Sequence, residues 1–166
     1  MKRLVPFAVP FVAIVAAGIG AWLVLAAGPR PCTDHDEVGL VGLDPVEQPC
    51  IAVDGTAHYT AVARQTVTSG LFRDEQVFYL FPLMPPDDYD GREVRVLVRT
   101  TRAPERLVSY ETLAMTGRIE RATPELVPYR TEIELGKAGG YFFTDDLVVL
   151  TPDEIISDGV VWRPLP

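Results

Sequence analysis

Residues 92–100 read REVRVLVRT. Val94, Val96 and Val98 alternate with Arg95, Leu97 and Arg99, which is the period of a strand with the valines inward and the other set outward. Upstream, QVFYLFPL over 76–83 is apolar on both faces, as befits a covered strand or one that meets a partner. Before it, HYTAVARQTVT over 58–68 is rich in Tyr, Thr and Val. Downstream, Glu111 to Ala122 puts Leu113, Met115, Gly117 and Ile119 on one side and Thr116, Arg118 and Glu120 on the other. Gly117 in mid-strand marks a bulge or sharp bend. Thr131–Leu135 and Tyr141–Leu150 complete the set, with Asp145-Asp146 as a turn and Val160-Val161-Trp162 as either a last strand or a cover over an open end of the core.

Punctuation between these runs is strong: Ser69-Gly70, Pro85-Pro86-Asp87-Asp88, Asp90-Gly91 and Pro124 through Pro128. Short helices are expected over Pro104–Tyr110 and from Thr151, where Thr151-Pro152-Asp153-Glu154 has the spacing of a capping box with Pro at the first helical position. Five to seven short strands with one inserted helix predict an all-β, or β-dominated α+β, domain over residues 51–166, with a small OB-like barrel as its expected form.

The N-terminus reads differently. From Leu4 to Pro29 there is no charged side chain. Leu4–Ala27 as a helix would span about 36 Å, against about 30 Å of hydrocarbon, so residues 1–28 are expected to hold one transmembrane helix. Lys2 and Arg3 in front of it place the N-terminus in the cytoplasm and the rest on the periplasmic side. A cleaved signal peptide is the rival reading, with Val24-Leu25-Ala26 as its small-residue site and excess length against it. Ala13, Ala17 and Ala21, with Ala16 and Gly20 beside them, form a small-residue stripe suited to helix packing and self-association in lipid.

Cys32 and Cys50 are the two cysteines of the chain. On an oxidising side of a membrane they predict one disulfide closing the linker over 29–50. Inside that loop Asp34, His35 and Asp36 are candidate metal ligands, although consecutive residues cannot all face one ion. A solvated acidic turn is the favoured reading of them.

Fifteen Lys and Arg stand against 23 Asp and Glu, a formal charge of −8. An acidic chain with no basic run repels phosphate, which argues against nucleic-acid binding. The absence of Asn rules out N-glycosylation. Together with the scarcity of Lys beside many Arg, it points to a GC-rich, bacterial source. Raw material for catalysis is thin: two histidines, His35 and His58, and three serines, Ser69, Ser109 and Ser157, none in a nucleophile elbow. No phosphate loop, dinucleotide fingerprint or zinc-protease motif occurs. Asp87-Asp88-Tyr89-Asp90-Gly91 has the alternating carboxylates of a calcium loop without its distal Glu. His58-Tyr59 pairs two side-chain types that ligate haem, but adjacency in a strand turns them to opposite faces.

What remains is surface. Phe78, Tyr79 and Phe81, with Tyr141, Phe142 and Phe143, are too many strand aromatics for one core, so some are expected at an interaction surface. Arg95 and Arg99, in a series with Arg92 and Arg102, are available to pair with the acidic excess or with anionic groups. The resulting expectation is a non-enzymatic, single-pass accessory or assembly module of the cell envelope, without a cofactor. Its partners would be the bilayer and another envelope protein. Alternatives are an exported domain binding metal, haem or lipid, and a hydrolase built on Ser109, His58 and Glu111.

Overall fold

The computed structural model describes residues 32–34, 42–69, 74–104 and 108–164. Its elements run β1 (Thr33–Asp34), β2 (Cys50–His58), β3 (Ala63–Ser69), β4 (Asp74–Met84), β5 (Glu93–Thr100), β6 (Tyr110–Arg121), α1 (Tyr129–Gly139), β7 (Phe142–Ser157) and β8 (Val160–Trp162). The strands form one mixed sheet in the order β1-β2-β6-β7-β5-β4-β3, with β8 paired to β7. The β1–β2 and β5–β7 pairs are parallel and the others antiparallel. The sheet curls until β2 meets β4 at Thr56↔Met84 and Ala57↔Leu83. That seam is two register pairs long, and β1 and β3 stay outside it as edges.

Two expectations about the fold class are corrected here. The domain is mixed α/β rather than all-β, and its sheet is a curled, edge-bearing path rather than an OB-like barrel. The physical reason is that the sheet is covered on both faces. One cluster inside the curl joins Ile51, Val53, Phe81, Leu83, Val96, Val98, Leu113 and Leu150. A second, on the other face, joins Leu80, Met84, Leu97, Val127, Leu135, Tyr141 and Val149. Leu97, expected outward, is fully buried in that second cluster.

The cover is α1. Thr131–Leu135 was expected as a strand, but Thr131 and Leu135 are buried four residues apart on one helix face. Glu132 in the first turn and Lys137 in the last suit the helix dipole. Arg130 pairs with Glu134 at i, i+4. Gly140, at φ 70°, closes the helix by donating its N–H to Gly136 O.

The reverse exchange occurs at 151–157, expected as a capped helix and found as the end of β7. Pairing with β6 overrides the local capping signal. Pro152, which cannot donate to a ladder, sits where the register shifts between Thr116 and Gly117. Gly117 is required there, because a Cβ would lie 2.4 Å from Thr151 O. Asp145-Asp146 is not a turn but a bulge: β5 and β7 slip register between Val94 and Val96. Of the helix expected over 104–110, residues 105–107 lie outside the described residues and Tyr110 opens β6.

The disulfide is present, Cys32 to Cys50, with Cα atoms 4.7 Å apart, and it ties β1 alongside β2. The anchor is another correction. Among the described residues no helix is long and apolar enough to cross a membrane. The helix α1 has 11 residues, a length of about 16 Å against the about 30 Å a span requires. The Leu4–Ala27 segment, with Ala13, Ala16, Ala17, Gly20 and Ala21, lies outside the described residues, as do His35 and Asp36. A single-pass topology, a cytoplasmic–periplasmic split, a bilayer partner and an envelope-docking accessory role therefore have no support in the described fold. None is retained.

Candidate functional site

Strand alternation at the end of β2 sends His58 to one face of the sheet and Tyr59 to the other. The two residues found opposite on β6 repeat this: His58 faces Tyr110, and Ala57 faces Glu111. Two separate polar networks grow from that parity.

The first is built on Glu111. Tyr59 donates its hydroxyl to Glu111 Oε2 at 2.6 Å and packs edge-on against Phe81. Arg102 donates Nη2–H to Oε1 at 2.9 Å and Nη1–H to Oε2 at 3.4 Å. Ser157, from the far end of β7, donates its hydroxyl to Oε1. Burial alone would raise the Glu111 carboxyl, but the hydrogen bonds from Arg102, Ser157 and Tyr59 outweigh it and hold it below its ordinary value. Burial, and then the bond to Glu111, push the Tyr59 phenol far above its own. Glu111 is therefore an ionised, fully hydrogen-bonded carboxylate, not a poised base.

Three members of this network, Arg102, Glu111 and Ser157, line an open cleft of about 590 Å³. Thr112 and Tyr110 continue the polar side. The rest of the lining is mainly apolar, with Val108, Ile155, Val160, Val161 and Trp162, and Asp158 adds a second carboxylate. The β7–β8 hairpin that carries Val160, Val161 and Trp162 turns at Asp158 and Gly159, both with positive φ, as a tight two-residue turn requires. Val160 and Val161 are 69% and 50% exposed, while Trp162 leans on the inner core.

The second network centres on His58, which is fully buried. Its Nε2–H donates to Asp88 O at 2.6 Å, and its Nδ1 accepts from the Tyr141 hydroxyl at 2.8 Å. Thr60 Oγ1 stands 3.0 Å from the same hydroxyl. Burial holds His58 below its ordinary value, against the raising influence of Asp88.

The expected hydrolase set is thus dismantled by parity. His58 and Glu111 leave their strands on opposite faces, each already bonded to other groups, and the Ser109 carbonyl serves the backbone N–H of Tyr59. Haem ligation by His58 and Tyr59 fails for the same reason. The Asp87–Gly91 stretch is a hairpin loop in which Asp88 Oδ1 accepts the Gly91 N–H at 2.8 Å. Among the described residues no group of three or more His, Cys, Asp or Glu is arranged to hold a metal ion.

The expected interaction residues are spread through the two cores. Phe81 and Tyr141 are buried, and Phe78 and Phe143 pack against the outer cluster. Tyr79 is half-buried in β4 between Arg64 and Thr100. Arg99 lies 3.5 Å over the Phe78 ring and donates Nε–H to Gln65. Arg95 is held between Glu93 and Asp146 of the bulge. Phe142, at 57% exposure, is the ring of that set that faces outward. Sequence reasoning missed Ser157 and Trp162 as partners of Glu111 in one cleft, because Ser157 lies 46 residues from Glu111 and no local motif links them. The signal available was the end-of-strand position shared by Tyr59, Glu111 and Ser157. No family model, curated protein or solved structure matches this chain.

Proposed function

We propose that the domain is a small-molecule-binding module whose ligand lies in the Glu111–Trp162 cleft. The observation that carries this is the asymmetry of the cleft. One cleft joins a pre-organised polar group (Glu111, Arg102, Ser157) to Val160 and Val161, held at the surface by a short hairpin, and to the partly buried Trp162. Its volume, about 590 Å³, lies in the range of pockets that take small ligands. Exposing Val160 and Val161 on this short strand costs hydration free energy, which a bound apolar body would recover. The ligand expected is uncharged, with an amide- or hydroxyl-like head toward Ser157 and Thr112 and a flat or branched apolar body against Val160, Val161 and Trp162.

Binding rather than catalysis is favoured by the state of Glu111. Its two oxygens are occupied by donors and its lowered pKa makes it a poor proton acceptor near neutrality. The test is a ligand-observed NMR screen of aromatic and aliphatic amides against the full chain, followed by amide shift mapping. Shifts confined to Thr112, Ser157, Val161 and Trp162, and lost in Val161→Glu, support the reading. Hits scattered over other faces, or binding indifferent to Val161→Glu, would reject it.

A further inference from the structure

We propose that His58 is an acid-sensitive latch that holds the hairpin loop between β4 and β5 closed over the end of β2. Three segments distant in sequence converge on one imidazole. Asp88 O, in the loop, takes the Nε2 proton, and Tyr141, at the junction of α1 and β7, donates to Nδ1. Because a carbonyl can only accept, Nε2 carries the hydrogen; burial disfavours a second proton, which leaves Nδ1 as the lone-pair side facing the Tyr141 hydroxyl. Tyr110 packs edge-on against the ring at 4.8 Å, and Tyr89 of the same loop packs on Tyr110 at 5.3 Å.

The loop has few other ties to the sheet near this point. Asp87 donates its N–H to Thr56 Oγ1 at 3.0 Å, and Arg92 O accepts the Phe142 N–H at 3.0 Å. Asp87 itself sits at φ 60°, a strained conformation for a residue with a side chain. The loop is therefore closed by a small number of polar contacts: the part-buried bonds of Asp88 O to His58 and of Asp87 N–H to Thr56, the Arg92–Phe142 backbone bond and a Tyr89–Thr112 side-chain bond.

Uptake of a proton from solvent at Nδ1 turns that atom from acceptor to donor. The Tyr141 hydroxyl must then rotate, accepting from Nδ1–H and donating to Thr60 Oγ1. Hydrogen bonds survive, but a cation is left in a fully buried site. The charged groups that face it are Asp88, which favours it, and Arg92, which opposes it and lies 5.4 Å over the Tyr141 ring. Tyr110 and Tyr141 are the other titratable groups packed against the ring, from β6 and the α1–β7 junction. Swinging the Pro85–Gly91 segment away would hydrate the imidazolium, so acid favours the open loop.

Hydrogen exchange of the full chain at pH 7.5 and 5.0, corrected for intrinsic rates, tests this. His58 and His35 are the two imidazoles whose usual range lies between these pH values, so the comparison is also made in a His35→Gln background. The expected result is loss of protection at the Asp87, Asp88 and Gly91 amides by roughly tenfold or more, with β6 and β7 unchanged. In His58→Gln, a neutral donor without the titration, protection should not vary between the two pH values. Equal protection at both pH values in the native chain, or the same loss in His58→Gln, overturns the latch. An independent reading needs no substitution at His58: an NMR titration, with His35→Gln for assignment, should find the His58 ring as the Nε2–H tautomer titrating below 6.5. A normal or raised value overturns it.

Discussion

The Tyr59 hydroxyl meets Glu111 Oε2 at 2.6 Å across a gap of 52 residues in sequence. This contact exists because β2 and β6 run antiparallel with Ala57 opposite Glu111, which brings the side chain just beyond the end of β2 over the carboxylate. Arg102 and Ser157 complete the ring of donors. A half-buried charge is thereby fully paired, and the network is expected to respond as a unit.

Glu111→Gln is expected to destabilise the domain by about 2 kcal/mol, since Arg102 loses its charged acceptor and one Gln atom becomes a donor facing donors. Tyr59→Phe should cost less, about 1 kcal/mol, because Glu111 keeps other donors. Urea denaturation of both single variants and the double variant would measure the coupling. Additivity of the two would show that the bond in the structure carries no stability.

Acid should erode that network in a defined window. The folded Glu111 pKa is lowered, so the folded state binds its proton less readily than the unfolded chain. Its stabilising effect is present above the unfolded value of 4.5 and is lost as pH falls through the lower folded value. The stability gap between native chain and Glu111→Gln should hold from pH 7 to 5 and close below 4.5. Chemical denaturation at half-unit steps checks the sign.

Gly117→Ala is expected to cost about 2–3 kcal/mol, because its Cβ would fall 2.4 Å from Thr151 O and 2.5 Å from Pro152 Cα, both backbone atoms. Gly140→Ala, where no atom lies within 4 Å but φ is 70°, should cost about 1 kcal/mol through conformation alone. Thermal melts separate the two, and a reversed order would place the register shift elsewhere.

Leu135→Ala removes the side chain with which α1 covers the outer cluster. A loss of about 2–4 kcal/mol is expected, with increased proteolysis within Tyr129–Gly139. Little change would mean that the helix does not stabilise the sheet.

Reduction of Cys32–Cys50 frees a loop spanning a sequence separation of 18 and should cost about 3 kcal/mol in the chain-entropy view. Exchange at Thr33 and Asp34 should rise as β1 leaves β2, while the β6–β7 ladder stays protected. Uniform loss of protection across the sheet would contradict this local account.

Period-2 patterning located β5 and β6 in the sequence, an apolar run located β4, the first part of β7 was legible as strand, and two cysteines among 166 residues predicted their own bond. Gly117 announced its bulge because only a residue without Cβ fits there. What local pattern could not decide was which of two periods would win in short segments. TEIEL alternates like a strand and also repeats at i, i+4; the open outer face of the sheet selected the helix. TPDEIIS carries a helix cap, and pairing with Ala114–Arg118 selected the strand. The cleft was even less legible. Its residues come from the ends of three strands and a hairpin, and only register, a property of the folded sheet, tells Glu111 that its neighbours are Tyr59 and Ser157 rather than His58 and Ser109.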